Sequence, residues 1–183
     1  MSLKAAIMGL IGDDQVEIEP DPVIPYDRYG CLRARVRMTA GQWLGRSIVE
    51  QGLALVRPAP GSNGAIDDLL MLEDEARSAA RGLWQTVDAR PKSADALDHR
   101  IGTNEIVEGR VTRVSSNDRY VYLNFGADWR TDFTIRLDQR MVAAEELDVR
   151  RFEGKKLRVR GFIQEARGPL IDIVNPKQIE VLP

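Results

Sequence analysis

Apolar and polar positions along this chain follow two periods, and the place where one gives way to the other divides it. Leu3, Ile7, Leu10 and Ile11 recur at helical spacing and predict a short helix that Gly12-Asp13-Asp14 ends. Gln15-Val16-Glu17-Ile18-Glu19 alternates as a half-buried strand does, and Pro20-Asp21-Pro22 stops it. Residues 32–38 alternate again, with Leu32, Ala34, Val36 and Met38 on one face and Arg33, Arg35 and Arg37 on the other. A turn at Thr39-Ala40-Gly41 leads to a helical stripe of Leu44, Ile48 and Val49 that closes at Gly52, and Leu53-Ala54-Leu55-Val56 reads as a short strand. The clearest period of all follows: Ile66, Leu69, Leu72, Ala76, Ala79 and Leu83 lie three or four apart. They predict one helix, capped by Ser62 or Asn63, with Asp67 and Asp68 in its first turn and Gly82 as its C-terminal glycine.

From Gln85 to about Ile101 the chain is polar, carries Pro91, Lys92 and Ser93, and reads as a linker with at most a short helical piece. Beyond it the period becomes that of strands. Runs at 106–114, 120–125 and 133–137 come first, with Ser116-Asn117-Asp118 as a turn. A helix-like stretch at 141–149 follows, then runs at 157–163, 170–174 and 179–182. Three strands, a helix and two or three further strands is the order of the OB-fold, a five-stranded Greek-key barrel; another small β-barrel is the next choice.

The 183 residues suit one elaborated domain or two small ones. No stretch reaches the roughly 18–20 apolar residues of a membrane helix, so the chain reads as soluble. The single cysteine, Cys31, excludes a disulfide scaffold. The apolar run at 5–11 lacks a small-residue cleavage site after it, which disfavours a secretory signal; export stays open if the native protein is longer at its N-terminus. A formal charge of −2 rules out a surface that is positive all over. It is unevenly spread: residues 1–100 hold 12 basic and 15 acidic side chains, residues 101–183 hold 14 and 13. Arg150, Arg151, Lys155, Lys156, Arg158 and Arg160 crowd together, either as a phosphate-facing patch or as the solvated face of a strand in which Leu157 and Val159 point inward.

Four blocks in order carry a family resemblance: Asp27-Arg28-Tyr29-Gly30, then residues 47–56 around Gln51-Gly52, then Leu72-Glu73-Asp74-Glu75-Ala76-Arg77, and finally Arg81-Gly82-Leu83-Trp84. Over roughly residues 5–85 the chain resembles the C-terminal part of staphylococcal nuclease-like (thermonuclease) domains. The resemblance implies calcium-assisted hydrolysis of a phosphodiester, with aspartates on the metal, a glutamate near the attacking water and two arginines on the phosphate; a hard cation and a developing phosphorane need such groups. The sequence departs from that pattern twice. The strands that bear the metal aspartates, the glutamate and the first arginine have no counterpart before Met1, and Cys31 stands where the family places its second catalytic arginine. Calcium is therefore expected only if a segment upstream supplies its ligands.

Substitutes are poor. Asp13, Asp14, Glu17 and Glu19 form an acidic cluster better read as a solvated face than as a metal site, and Glu73-Asp74-Glu75 reads as solvent-facing helix charge. His99, the single histidine, has no nucleophile motif nearby, and Cys31 reads as a small filler at a strand start. Residues 104–183 in turn resemble an OB-like module found after nuclease-like domains in some bacterial proteins, through Val107-Glu108-Gly109-Arg110-Val111, residues 122–126, residues 129–133, Arg158-Val159-Arg160-Gly161 and Gly168-Pro169. Such barrels bind single strands by aromatic stacking beside a basic groove. The candidates for that contact are Tyr120, Tyr122, Trp129, Arg130, Arg136, Arg158 and Arg160, with Tyr120 and Tyr122 on one strand face, Phe125 and Phe133 in the core, and the loop 126–131 as the place of greatest interest.

The expected fold is α+β and mainly β: a partial nuclease-like OB barrel with helices at 1–85, a linker at 86–102 and a five-stranded OB-fold barrel at 103–183. The expected function is nuclease-like without a catalytic constellation, acting as a nucleic-acid-binding or interaction module. Two alternatives stand beside it. One is a fragment of a calcium-dependent phosphodiesterase; the other is a protein that self-associates through exposed barrel edges.

Overall fold

The computed structural model describes residues 3–13, 15–22, 25–26, 30–60, 65–97, 99–128 and 130–183. They divide into two compact units, one of Met1–Val56 with Asn63–Val87, the other of Arg57–Ser62 with Asp88–Pro183.

The first unit is helical around a two-stranded ribbon. Helix α1 (Leu3–Ile11) ends as the sequence predicts, at Gly12, whose N–H donates to the Met8 carbonyl. Strands β1 (Val16–Pro20) and β2 (Ala34–Met38) pair antiparallel, Ile18 opposite Val36. Leu32 does not extend the strand; it makes one bridge to Tyr26 and is 47% exposed. Helix α2 (Leu44–Glu50) and helix α3 (Ile66–Ser78) pack around Val49, Val56 and Leu72, with Ile66, Leu69 and Leu70 against them. Helix α3 is shorter than its apolar period. Ala80, at φ 48°, turns the chain, and Gly82 begins a separate 3-10 turn, Gly82–Gln85. The anticipated caps Ser62 and Asn63 lie outside the described residues, and Ala65 occupies the cap position.

Residues 53–56 are not a strand, because their backbone is satisfied by a side chain. The Val56 N–H donates to the Glu73 carboxylate, and Glu73 is fully buried. The expectation that this glutamate faces solvent is thus corrected. A buried backbone donor without a partner costs about 1–3 kcal/mol, and the helix supplies the acceptor from its packed face. Nearby, Gly52 (φ 69°) and Gly82 (φ 52°) touch backbone to backbone, the Leu83 N–H donating to the Gly52 carbonyl at 2.8 Å. A Cβ on either would run into the other's neighbourhood, Arg81 in one case and Gln51 and Gly52 in the other. This contact is the physical reason for two of the four sequence blocks.

The second unit is built on strands. Strand β3 (Lys92–Ser93) pairs parallel with β4 (Asn104–Arg110). Strand β5 (Arg113–Ser116) follows β4 after a break at Val111-Thr112, whose N–H groups donate to Lys155 and Asn124. Strand β6 (Tyr120–Asn124) and strand β7 (Thr134–Asp138) come next, then helix α4 (Gln139–Ala144), strand β8 (Lys156–Ala166), strand β9 (Gly168–Ile173) and strand β10 (Ile179–Val181). The sheet order is β3-β4-β8-β9-β7-β6-β5, with β10 on β8 and with β7 and β9 parallel. Strands β4 and β5 are successive pieces of one segment of the chain.

The core of this unit includes Val121, Leu123, Ile135, Leu137, Ile163 and Ile171, with Phe125 and Phe133 stacked at 5.0 Å as the sequence leads one to expect. The polar stretch read as a linker contributes to it: Leu97 is 1% exposed and Ala94 is buried beside it. Helix α4 stops earlier than its apolar period, at Ala144, after which Glu146 adopts φ 48° and a 3-10 turn, Val149–Phe152, buries Phe152. The outer edge of β5 is not left bare, since the Val114 N–H donates to Glu153.

Candidate nucleic-acid interface

Period-2 alternation places the side chains of the second unit on two faces. On β6 and β7, Val121, Leu123, Ile135 and Leu137 turn inward; Tyr120, Tyr122 and Arg136 therefore turn outward, and Thr134, on the same face, is 7% exposed. The register sets Tyr122 opposite Arg136 and Arg136 beside Asp172 on β9. The Arg136 guanidinium donates twice to the Asp172 carboxylate, at 2.6 and 2.8 Å, and Gln164 on β8 donates to the same carboxylate at 3.0 Å. The hydrogen bond that Arg136 donates to Asp172 raises the arginine's pKa above its ordinary value against the opposing pull of burial, so its charge is constant through any physiological pH.

The two tyrosines meet edge to face at 6.2 Å between centroids. They are not equivalent. Arg136 and Arg119 both lie over the Tyr120 ring, at 4.7 and 4.9 Å, a cation–π arrangement that fixes the ring and its neighbours together. Tyr122 instead lines a groove of about 750 Å³. Arg113 and Ser115 of β5, the Asn117 turn, Asn124, Thr134 and Arg136 line it from one side, and the β8–β9 turn with Arg167, Gly168 and Pro169 from the other. Asn117 holds its turn by accepting from the N–H groups of Arg119 and Tyr120 at 2.9 and 2.8 Å.

Of the sequence candidates, Tyr120, Tyr122 and Arg136 are brought together. Arg130 is exposed in the loop, 3.9 Å from Asp128. Trp129 lies outside the described residues; its loop reaches the groove through Gly126, Ala127 and Asp132. Arg158 and Arg160 do not join the tyrosines. They sit on the stretch of β8 paired with β4 and β10, where Arg158 donates to Glu108 and Glu180 at 2.8 and 2.9 Å and Arg160 is 7% exposed. Burial alone would lower the Arg158 pKa, but Glu108 and Glu180 outweigh it and raise the value. Lys156 also reaches Glu108, and Arg151 covers the Phe152 ring, so this run of basic residues is largely engaged within the fold.

Sequence reasoning passed over Asp172, Gln164, Arg113 and Arg167. Asp172 carries a weak signal, a lone carboxylate in the apolar run Leu170-Ile171-Asp172-Ile173, but its partner is set by a parallel pairing of distant strands.

Among its described residues the first unit offers no comparable site. Glu17 and Glu19 face Arg37, at 3.7 and 2.7 Å, and Arg37 lies 4.7 Å over the Trp43 ring. Asp14 is outside the described residues, and Glu73 is committed to Val56. Among the described residues no three of His, Cys, Asp and Glu converge, so their donor set does not fit a calcium ion. His99 and Cys31 are both exposed. No described helix is long and apolar enough to cross a membrane.

Comparison with known proteins agrees with the four sequence blocks. No curated protein matches the chain. Residues 4–86, just under half of it, match the family of staphylococcal nuclease homologues, to which this stretch is therefore similar.

Proposed function

We propose that this is a nuclease-like protein whose second unit binds single-stranded nucleic acid, the first unit taking no part in hydrolysis through the residues described. Residues 103–183 are read as a five-stranded OB-type barrel, in which β4 and β5 form one bent strand, followed by β6, β7, β8 and β9. The parallel pairing of β7 with β9 and the helix between β7 and β8 support that reading. The first domain is read as ending near residue 85, and the stretch expected to be a linker contributes β3, Ala94 and Leu97 to the second unit.

The observation that carries it is the tyrosine and arginine array on β6 and β7 beside the groove. A base has a π-face whatever its identity, so an outward Tyr122 offers sequence-tolerant stacking worth about 1–3 kcal/mol per base. The Ser115 hydroxyl and the Asn117 amide nitrogen at the groove suit base edges, while Asn124 and Thr134 are buried and bonded to each other. Titrating a labelled oligonucleotide by fluorescence anisotropy tests the reading. Tyr122→Ala is expected to weaken binding about tenfold or more, and Tyr120→Ala less, because Tyr120 already carries two guanidinium groups. An affinity unchanged in both variants would refute this placement.

A second reading, self-association, is favoured by the first unit. Its ribbon has only two strands, and Ile18, Tyr26 and Leu32 on or beside it are 54%, 60% and 47% exposed. Light scattering at increasing concentration checks it; a mass that stays at one chain throughout refutes it.

A further inference from the structure

We propose that Arg113 and Arg167 are the phosphate contacts of this groove, so that a single strand crosses the face with its bases toward Tyr122 and its backbone along these two cations. The inference rests on the nucleic-acid reading above and goes further by assigning the charge.

Sheet order makes the first argument. Across β5-β6-β7-β9-β8, Arg113 stands on β5 and Arg167 at the β8–β9 turn, so the two flank Tyr122 on β6 and Arg136 on β7. Both are exposed and both line the groove. Two other arginines are committed to carboxylates within the fold. Arg136 turns two donor nitrogens to Asp172 and lies on the Tyr120 ring, which makes it a positioning residue rather than a phosphate ligand. Arg158 is held between Glu108 and Glu180, away from the groove.

Arg167 adopts φ 75°, in the left-handed region that favours glycine, at a one-residue turn where Ala166 pairs with Gly168. A strained conformation kept by a long cationic side chain at the mouth of a groove points to use of that side chain. The groove wall carries Arg113 and Arg167 at its margins and Tyr122 between them, with Asp132 as the acidic residue among those that line it. A nucleic-acid strand has that pattern, with anionic phosphates at the edge and π-faces inside; an acidic peptide supplies the charge without the faces.

Counterion release tests the assignment, since its salt slope counts phosphate contacts at about 0.7 per charge for single strands. The full chain is titrated with labelled oligothymidylate and oligouridylate of about 12 nucleotides over a salt series. Arg113→Gln and Arg167→Gln are each expected to lower the slope by about 0.7, and together by twice that, on both oligonucleotides or on the one the chain prefers. Arg167→Lys is expected to keep the slope, because the charge survives, while Arg158→Gln leaves it unchanged. Thermal unfolding of each variant confirms that the fold is intact. A slope that follows Arg158→Gln, or ignores both groove variants, overturns the assignment while leaving nucleic-acid binding in place. Equal affinity for polyglutamate also overturns it. A wild-type chain that binds neither oligonucleotide overturns the underlying reading itself.

Discussion

The two compact units bury apolar surface by different means. In the second, strands separated by up to dozens of residues bring together Val107, Leu123, Ile135, Leu137, Leu157 and Ile171, each with no exposed surface. In the first, Val49, Val56 and Leu72 form one small cluster with three half-buried neighbours, Ala6, Met38, Ala76 and Trp84 are buried outside it, and much of the order comes from polar and backbone contacts. Glu73 serves Val56, Arg37 serves Glu17 and Glu19, and two glycines let backbones touch. A many-stranded sheet makes each residue's burial redundant with that of its neighbours, whereas a small helical unit depends on a few irreplaceable contacts. The difference teaches that the most informative sequence motifs, those that carry the family match, mark folding contacts, while the candidate binding chemistry sits where the motifs are weakest.

That contrast can be broken from either side. Gly52→Val asks a β-branched residue to adopt φ 69° against the Arg81 backbone. Strain and overpacking together are expected to cost about 4 kcal/mol, enough to unfold the first unit while the oligonucleotide affinity of the second persists. Loss of helical far-UV signal beside unchanged anisotropy is the expected result; loss of both would show that the second unit does not stand alone. The reciprocal variant, Leu123→Ala, removes a residue with no exposed surface from the second unit. It is expected to cost about 3 kcal/mol in urea unfolding and to leave the helical signal of the first unit in place.

A smaller effect sharpens the account of Glu73. Glu73→Leu keeps the volume but leaves the Val56 N–H unsatisfied, an expected loss of about 2 kcal/mol. Glu73→Gln retains an acceptor and is expected to lose less than half as much. If Leu were as well tolerated as Gln in chemical denaturation, the hydrogen bond would not be what holds residues 53–56 out of a strand.

Much of this was legible before the structure. The helical stripes at 3–11, 44–50 and 66–78 and the strand runs of the second half follow from period alone, because a 3.6-residue or 2-residue repeat of apolar side chains leaves few other ways to bury them. Departures occur where a local pattern competes with a distant partner. Leu53-Ala54-Leu55-Val56 has the composition of a strand, yet Glu73 takes its N–H; the apolar stripe running to Leu83 stops at Ser78, because Gly82 must meet Gly52.

The candidate site divides along the same line. That Tyr120 and Tyr122 share a face was determined by the sequence, since residues two apart on a strand always do. Which arginines stand near them was not. Arg158 and Arg160 lie in a run of basic residues, but cross-strand neighbours Glu108 and Glu180 engage Arg158, and Arg160 is buried. Arg136 gained its role from Asp172, 36 residues away, through a parallel register, and Arg113 and Arg167 reached one groove only because β5 and the β8–β9 turn flank the same two strands. Periodicity is a property of neighbours along the chain, so the sequence determined the elements and their faces. Charge pairing and groove composition are properties of neighbours across it, and only the tertiary structure decided those.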